Sequence, residues 1–513
     1  MVRAPVPVEF KSLIDLAADG LGGFALFASD EYFAEKENLL KPHAAQWVEG
    51  KYTDKGKWMD GWESQRKRDA GHDFVIIRLG IAGMVSGVVV DTTHFKGNAP
   101  QEIALEGVIA PDTATPAQLL ASDAWFELLP RVPVKADLQN VLPLKQVSPR
   151  VTHVRLHIFP DGGVARLRVF GTAAPEPRTF WKVGSLDLAA VENGGTVVEA
   201  SNEFFGPPSN LLLPGRGVNM GDGWETKRRR TPGSDWAVIR LARRGLVDRL
   251  ELDTHFFKGN APQATLIEAL DEEEIGAEAV KQLLRAPKGW QTLIDRTPLV
   301  QHRRHQLEPI RPMPVTHLRV HIFPHGGVNR LRVFGVALNT PGERAALNRL
   351  NNLSDAKVRE LMLSFCGTVH FVEQMMHHGP FTSVRELFAA AEDAWWSLDS
   401  KHWLEAFAAH PRIGDKKKAK KQTAKSARWS AGEQKGVGTA PREVTRKLAE
   451  LNAAYFKKFG FIFIVCATGK SPAEMLALLA DRLHNPKYVE LETAAVEQTK
   501  ITRLRIEKWL EST

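Results

Sequence analysis

Five charged residues occur at matching positions in two distant parts of the chain. The first set is Glu63, Arg66, Arg68, Asp91 and Lys96, and 162 residues later the sequence repeats it as Glu225, Arg228, Arg230, Asp253 and Lys258. A carboxylate within reach of a substrate can move protons, while arginine and lysine can hold an anion. These residue types therefore indicate acid–base chemistry on a negatively charged molecule. The structural alternative is that the charged side chains only pair with one another at strand ends.

Two long stretches carry these residues and predict the architecture of the first two-thirds of the chain. The segment 60–100 begins DGWESQRKR, the segment 222–262 begins DGWETKRRR, and further matches extend the repeat on both sides. Such self-similarity indicates two copies of one structural unit. We expect one unit over 10–172 and another over 180–337. The first copy has ten additional residues between 38 and 60.

Each copy has the sequence pattern of an antiparallel β-domain. Runs rich in β-branched residues, such as FVIIRLG and VSGVVVDTTHF, are bounded by Gly, Asn and Pro. The stretch VTHVRLHIF alternates strictly, which predicts a strand with one buried face, then a tight turn at 160–163 and a return strand. Short helical inserts are predicted at 116–129 and around 272–286. Together these signals predict two β-sandwich repeats of the jelly-roll type.

The last third of the chain has a different period. Apolar residues recur every three or four positions from about residue 343, which is typical of amphipathic helices. We expect a linker at 337–347 and an all-α helical domain over 347–513. Ser471 followed by Pro472 predicts a helix start. The apolar run FGFIFIVCA at 459–467 interrupts the helical pattern and is expected to be extended and buried. The predicted fold is therefore multidomain.

Composition excludes several classes of protein. The chain has 513 residues, 43% of them hydrophobic, and only two cysteines, Cys366 and Cys466. A disulfide framework or a cysteine metal cluster needs more cysteines. No apolar run approaches the roughly 20 residues that span a bilayer, and the N-terminus lacks the pattern of a secretion signal. We therefore expect a cytoplasmic protein with no membrane partner.

The formal charge of +8 comes in part from the lysine-rich run KKKAKK at 416–421. A solvated loop explains such a run, and a nucleic-acid-binding arm is the alternative. No aromatic residues interleave with the lysines, as a nucleic-acid surface would require. We expect no nucleic-acid partner, and an anionic small-molecule substrate also suits a basic protein.

The motifs DGWE(S/T)xRxR, IRLG and DTxHFKGN resemble those of allantoicase, over about 10–340. That family consists of two tandem jelly-roll repeats. The resemblance implies hydrolysis of allantoate to ureidoglycolate and urea. Loss of urea requires protonation of a poor leaving nitrogen and delivery of water to the adjacent carbon. The acid–base candidates are Glu63, Glu225 and His94, and the substrate-binding candidates are Arg66, Arg68, Lys96, Arg228, Arg230 and Lys258.

The histidines differ between the two copies. His94 stands in the first copy, whereas the second has His255 aligned with Thr93. His72 aligns with Ser234 in the second copy. We therefore expect one working site for this reaction, with the first copy favoured for its histidine-dependent part. The histidines that both copies share, His153/His317 and His157/His321, are expected to be structural rather than metal ligands.

A second resemblance covers about 347–513 and rests on HPRIG, SAGEQ, the FGFIFIVCATGKS segment and ITRLRIEKWL. These motifs look like 2-oxo-4-hydroxy-4-carboxy-5-ureidoimidazoline decarboxylase, or OHCU decarboxylase, an all-α family that produces S-allantoin. The family's catalytic residues carry onto His410, Glu433 and Arg505, with Arg503 as the alternative arginine. Substrate contacts carry onto Pro411, Ser430, Gln434, Ile464, Val465, Cys466, Ala467 and Thr468. Ile462 stands where many relatives have proline.

The decarboxylation needs no cofactor, because the imidazolinone ring can accept the electrons left when carbon dioxide departs. His410, near its ordinary pKa at neutral pH, is expected to donate or hold a proton. We expect no cofactor and assign no metal-binding residues. We expect small-molecule substrates and a homo-oligomeric protein.

A rival interpretation is a pair of carbohydrate- or ligand-binding β-sandwiches attached to a single active decarboxylase. Jelly-roll sandwiches also serve as sugar-binding modules, so the fold alone does not decide. Such modules expose aromatic side chains in their loops. The loops of this chain are instead expected to present mainly Arg, Lys, Asp and Glu, which favours an anionic substrate.

Overall fold

The computed structural model of the chain describes residues 7–10, 13–411 and 442–512. The chain divides into two compact units. One unit comprises Met1–Phe180 and Gly184–Ala337, and the other comprises Trp181–Val183 and Leu338–Thr513. The first, the β unit, contains both sequence repeats. The second, the α unit, is helical.

The first repeat of the β unit is built from antiparallel strands and one short helix. Its strands are β1 Ile14–Asp15, β2 Phe24–Ala28, β3 Tyr52–Thr53, β4 Gly56–Lys57, β5 Trp62–Glu63, β6 Asp73–Asp91, β7 Glu102–Val108, β8 Phe126–Pro133, β9 Gln139–Pro143, β10 Arg150–Phe159, β11 Gly163–Val164 and β12 Arg166–Ala173, and its helix is α1 Pro116–Leu120. The main sheet has the order β1-β12-β6-β10-β7-β8, and β2 and β9 also pair with β6.

The second repeat has the same topology. Its strands are β13 Leu186–Asp187, β14 Thr196–Ala200, β15 Trp224–Glu225, β16 Asp235–Asp253, β17 Ala264–Leu270, β18 Gln291–Pro298, β19 Arg304–Leu307, β20 Pro314–Phe323, β21 Gly327–Val328 and β22 Arg330–Ala337, and its helices are α2 Glu272–Ile275 and α3 Ala277–Leu283. The sheet order β13-β22-β16-β20-β17-β18 reproduces that of the first repeat strand for strand. The small hairpin β3–β4 has no counterpart, because it lies in the ten additional residues of the first copy.

Strand β6 organises the first repeat. The two predicted β-branched runs form one continuous strand of 19 residues. Its first part pairs with β10 and β2, and its second part pairs with β12 and β9. One long strand therefore belongs to both layers of the sandwich. Apolar side chains from both repeats fill a single continuous hydrophobic cluster, which contains the fully buried Trp62 and Trp224.

The structure corrects three details of the β prediction. The prediction that β10 buries only one face is wrong at the start of the strand. The register shifts between Val151 and His153, and His153 is completely buried. The return strand β12 pairs with β6 rather than with β10. The helical insert ends at Leu120, and the rest of the predicted insert belongs to β8 or to the turn before it. The counterpart insert does form helices, α2 and α3.

The α unit consists of helices in its described part. They are α4 Pro341–Asn351, α5 Asp355–Phe365, α6 Val369–His378, α7 Val384–Trp396, α8 Ser400–Ala408, α9 Arg442–Phe459, α10 Pro472–Arg482 and α11 Lys487–Glu511. Helix α4 begins inside the predicted linker, because Thr340 and Glu343 form a capping box with Pro341 at the first helical position. A second such box confirms the predicted start at Ser471. None of the helices in the described residues is both long and apolar enough to cross a lipid bilayer.

The long helix α11 lies at the centre of this unit and packs on α5, α7 and α8. The non-helical segment 461–467 is almost entirely buried beside it, as the apolar run predicted. The fold class expected from the sequence, two β-sandwich repeats followed by an all-α helical domain, is confirmed.

Candidate functional site

Glu63 occupies a sheltered position at the end of β5. Strand β5 pairs with β11, which places Glu63 opposite Gly163, and Glu63 is only 8% exposed. Its carboxylate accepts a hydrogen bond of 2.7 Å from the side-chain amide of Asn98. Burial raises the pKa of Glu63, and the Asn98 hydrogen bond opposes this rise because it favours the charged form. A carboxyl group in this setting stays protonated to a higher pH than an exposed glutamate does.

Close packing between two loops brings Asn98 to Glu63. The ring of Phe95 lies against Gly163, where an added Cβ would come within 1.9 Å of a ring carbon. The backbone N–H of Gly163 donates to the carbonyl of Asn98 at 2.7 Å. Gly162 has a φ of +130° in the same turn, a conformation that favours glycine. The segments FKGN and PDGG therefore fix the distance between the glutamate and its amide partner.

The second repeat contains the same arrangement. Asn260 donates to Glu225 at 2.6 Å, and the ring of Phe257 lies against Gly327, where an added Cβ would again be 1.9 Å away. Glu225 is half-buried rather than buried. The sequence comparison did not single out either asparagine. Their presence in the shared KGN segment was the signal that could have identified them.

The predicted substrate-binding cations of both repeats lie on the surface. All six are exposed, namely Arg66, Arg68, Lys96, Arg228, Arg230 and Lys258. Lys96 lies 3.8 Å from the carboxylate of Asp137. Across the residues that the structure describes, the four arginines make no ion pair. The intervening residues Lys67 and Arg229 instead pair with Asp73 and Asp235 at the starts of β6 and β16.

His94 does not contact Glu63 in this structure. It has a positive φ of 72°, its backbone N–H donates to Asp137, and its Nε2 lies 3.3 Å from the carbonyl of Ala45. Its ring lies near the exposed Trp47, with the ring centroids 5.6 Å apart. The side chain therefore faces the additional residues of the first repeat. A catalytic role for His94 stays a prediction.

The histidines shared by both repeats, and His72, belong to polar networks along β10 and β20. His157 lies between His72, 2.8 Å away, and the carboxylate of Glu106, 2.7 Å away. In the second repeat Ser234 replaces His72 and keeps the contact, at 2.9 Å from His321. Burial lowers the pKa of His153 and of its counterpart His317 to about 4, so both rings are neutral near pH 7. In the described parts of the chain, no group of three or more His, Cys, Asp or Glu could hold a metal ion.

The prediction about loop composition is wrong in one respect, because aromatic side chains are exposed in both repeats. Tyr32 and Phe33 form an edge-to-face pair, and Phe204 and Phe205 form the equivalent pair. The backbone N–H groups of Phe33 and Phe205 donate to the carbonyls of Glu63 and Glu225. Each aromatic pair therefore directly precedes a residue, Ala34 or Gly206, that forms a β-bridge with the glutamate of its repeat.

In the α unit, His410 follows the end of α8 and is half-buried. Burial and the nearby Arg505 lower the pKa of His410 to about 3, while the side chain of Gln498 opposes this change. The expectation of an ordinary pKa is therefore wrong. The imidazole is neutral at pH 7, so it acts first as an acceptor or as a neutral N–H donor.

Arg505 rather than Arg503 is the arginine that acts on His410. Arg505 is 1% exposed, lies on α11 and donates to the carbonyl of Ser364 at 3.3 Å. Arg503 lies over the ring of Phe388 and 3.6 Å from Glu507. The two arginines therefore point to different parts of the unit, and only Arg505 depresses the pKa of His410.

Several of the predicted backbone contacts already have hydrogen-bond partners, and the Ala467 carbonyl accepts from the backbone N–H of Lys470 at 3.1 Å. The carbonyl of Ile464 accepts from Arg482 at 2.9 Å, and both backbone groups of Cys466 are bonded to side chains of Glu497 and Lys470. Val465 is buried, and of the remaining predicted positions Ala467 is buried and Thr468 is exposed. Pro411 follows His410 directly. The predicted residues Ser430, Glu433 and Gln434, and the lysine run 416–421, lie outside the described residues.

Comparisons with known proteins decide between the interpretations. The protein-family model for the allantoicase repeat matches residues 14–174 and 186–338. The chain belongs to the allantoicase family. A second family model, that of OHCU decarboxylase, matches residues 351–507. Both resemblances seen in the sequence are confirmed, and the chain joins two allantoicase repeats to an OHCU decarboxylase domain.

Individual relatives agree with the allantoicase assignment. A protein named probable allantoicase 2, from Burkholderia pseudomallei (strain K96243), is 43% identical over 336 residues, which cover 64% of this chain and 96% of that protein. The crystal structure of allantoicase from Saccharomyces cerevisiae is 32% identical, covers 63% of this chain and 94% of its own, and has a TM-score of 0.53. A crystal structure of OHCU decarboxylase in the presence of (S)-allantoin is 38% identical over 31% of this chain and 99% of its own, with a TM-score of 0.26.

Proposed function

We propose that this bifunctional enzyme of purine catabolism works at two separate sites, one in each unit. The allantoicase repeats hydrolyse allantoate to ureidoglycolate and urea. The OHCU decarboxylase domain converts 2-oxo-4-hydroxy-4-carboxy-5-ureidoimidazoline to S-allantoin. The residues assigned to each site below are part of the proposal.

The allantoicase site is centred on Glu63. Urea is a poor leaving group unless its nitrogen is protonated as the carbon–nitrogen bond breaks, and a carboxyl group of raised pKa suits this task. Water must also reach the same carbon, and the carboxylate formed by proton donation can then accept its proton. The exposed Arg66, Arg68 and Lys96 hold the carboxylate of allantoate, because guanidinium and ammonium groups bind carboxylates strongly.

The observation that carries this assignment is the buried Glu63, hydrogen-bonded to Asn98. Burial raises the pKa of Glu63, which is the direction that acid catalysis requires. The equivalent Glu225–Asn260 pair has the same hydrogen bond but greater exposure. The first repeat is therefore the better candidate for the working site. His94 is a weaker candidate, because its contacts are with Asp137 and the segment around Ala45.

The decarboxylase site is centred on His410 and Arg505. Arg505 stabilises negative charge on the substrate, and the neutral imidazole of His410 accepts a hydrogen bond from the substrate hydroxyl. Glu433, by resemblance to the family, holds a hydroxyl or ureido group, with Ser430 and Gln434 beside it. Backbone groups of Val465 and Ala467, both buried, complete the binding surface.

Three substitutions test the assignments in the full chain. Urea release from allantoate and allantoin formation from freshly made decarboxylase substrate are followed separately. Glu63→Gln is expected to lower urea release by about 100-fold or more, as loss of a general acid does, and Glu225→Gln is the matched control in the second repeat. His410→Ala is expected to abolish decarboxylation and leave urea release unchanged.

The outcomes distinguish the alternatives. Full urea release by both glutamine variants would rule out glutamate acid catalysis. No urea release by the unaltered chain, together with active decarboxylation, would support the ligand-binding alternative for the β repeats. Loss of both activities in His410→Ala would contradict two separate sites. We further propose that the enzyme is cytoplasmic and homo-oligomeric, with small molecules rather than nucleic acids or membranes as its partners.

A further inference from the structure

Three polar side chains lie on one buried face of helix α11. Gln498, Thr502 and Arg505 are spaced by four and three residues, so they occupy one stripe of the helix. Gln498 is 0% exposed, Thr502 is 4% exposed and Arg505 is 1% exposed. Buried polar groups are costly unless they are bonded or serve a ligand. Arg505 already belongs to the proposed decarboxylase site, whereas no role has been assigned to Gln498 or Thr502.

Contacts along this stripe determine which way the Gln498 amide points. The nitrogen of Gln498 donates to the hydroxyl oxygen of Thr502 at 3.2 Å. The hydroxyl of Thr502 also acts on the buried thiol of Cys366, whose pKa burial raises and Thr502 lowers. The oxygen of Thr502 is thus an acceptor, and the amide oxygen of Gln498 must face away from it.

Helix α11, which carries Gln498, packs on α8, after which His410 follows. The side chain of Gln498 acts on the ring of His410 as a hydrogen-bond acceptor that favours the protonated form. Within the described residues, the amide oxygen of Gln498 and the Nε2 of His410 are both buried atoms without a hydrogen-bond partner. Arg505 is the charged group of the described residues that acts on the same ring. Among the described residues, the groups that act on His410 are therefore one cation, Arg505, and one neutral acceptor, Gln498.

We propose that Gln498 is a positioning residue for His410: its amide oxygen receives the imidazole N–H and thereby fixes which ring nitrogen remains an acceptor for the substrate hydroxyl. The proposal rests on the proposed decarboxylase function. A neutral imidazole has two tautomers, and only the one with its bare nitrogen towards the substrate can accept a hydrogen bond there. A carboxylate commonly fixes the tautomer of a histidine, and here a neutral amide does so without adding charge beside Arg505.

The test is the dependence of decarboxylation on pH in the full chain. Gln498→Leu removes the acceptor at similar size, and kcat is expected to fall about 10-fold to 100-fold with little change in KM, as for other orienting residues. Gln498→Glu keeps an acceptor and adds a negative charge, which stabilises the imidazolium. Its acidic limb in kcat/KM is therefore expected to move to higher pH by at least about one unit, with activity recovered above that limb. Thr499→Val, on the same helix, is the control.

The outcomes separate the positioning role of Gln498 from the proposed decarboxylase function. Wild-type kcat and pH profile in both Gln498 variants, while His410→Ala is inactive, would overturn the positioning role alone. Decarboxylation by His410→Ala would instead overturn the proposed function. If Gln498→Leu fails to fold, the pH profile of Gln498→Glu decides, because a carboxylate at this position shifts the acidic limb only if the side chain lies against the ring of His410. A Thr499→Val profile that matches the Gln498→Glu profile would also contradict the proposal.

Discussion

Asn98 is the residue whose substitution tests the allantoicase site most directly. Asn98→Ala removes the only side-chain hydrogen bond that the structure records, within its described residues, for the Glu63 carboxylate. The hydrogen bond favours the charged carboxylate, so its loss leaves burial as the dominant influence on this pKa. The pKa of Glu63 is therefore expected to rise, and the protonated form should persist to higher pH.

The size of the rise follows from the energy of the lost contact. A hydrogen bond to a charged group contributes about 1.5–3 kcal/mol, and one pKa unit corresponds to about 1.4 kcal/mol. These values bracket a rise of about one to two units. Glu63 keeps 8% exposure, so water can replace part of the amide's contribution. We therefore expect a rise near the lower end, about one unit.

The assay is urea release from allantoate across a pH series. The high-pH limb of kcat/KM reports the acid form of the free enzyme, so it should move upward by about one unit in Asn98→Ala. Asn260→Ala makes the equivalent change in the second repeat and serves as the matched control. An unshifted limb in Asn98→Ala, or an equal shift in Asn260→Ala, would refute the assignment of acid catalysis to Glu63 in the first repeat.

Three further predictions concern stability. Gly163→Ala should lower the free energy of unfolding by about 1–3 kcal/mol, because its Cβ would strike the ring of Phe95. Tm and urea release should therefore fall together, and an unchanged Tm would contradict the loop geometry. Tyr455→Phe removes the hydroxyl that donates to the buried Glu490, and should cost about 1–2 kcal/mol in chemical denaturation; no loss would mean that the contact is neutral. Burial raises the pKa of Asp15 to about 6, so its contribution to stability is present below about pH 4 and is lost as pH rises through about 6; Asp15→Asn should flatten this decline in denaturation midpoints.

The sequence predicted much of the fold because the relevant signals are local or repeated. The duplicated motifs identified both β repeats, and residue spacing identified the helices of the α unit. Helix starts were predictable where the cap chemistry lies within four residues, as at Ser471. The register shift next to His153 was not predictable, since it depends on which neighbouring strand and which outer layer cover β10.

The chemistry of the sites was less accessible from sequence. Glu63 and Asn98 are 35 residues apart, and their contact depends on the packing of Phe95 against Gly163. The pKa of His410 was expected to be ordinary, because a sequence does not show that Arg505 and a buried environment lie beside the ring. Long-range burial and charge, rather than residue type, therefore account for what the motifs left open.

The second repeat keeps the shape of the first without keeping all of its chemistry. Phe256 stands where the first repeat has His94, yet its φ of 68° is close to the 72° of His94. A bulky residue seldom adopts this conformation unless its surroundings impose it. The imposing contact is the packing of the following phenylalanine, Phe257, on Gly327, which both repeats share. The same packing holds Asn260 to Glu225, so a preserved Glu–Asn pair in the second repeat follows from loop geometry alone and is not by itself evidence of a second active site.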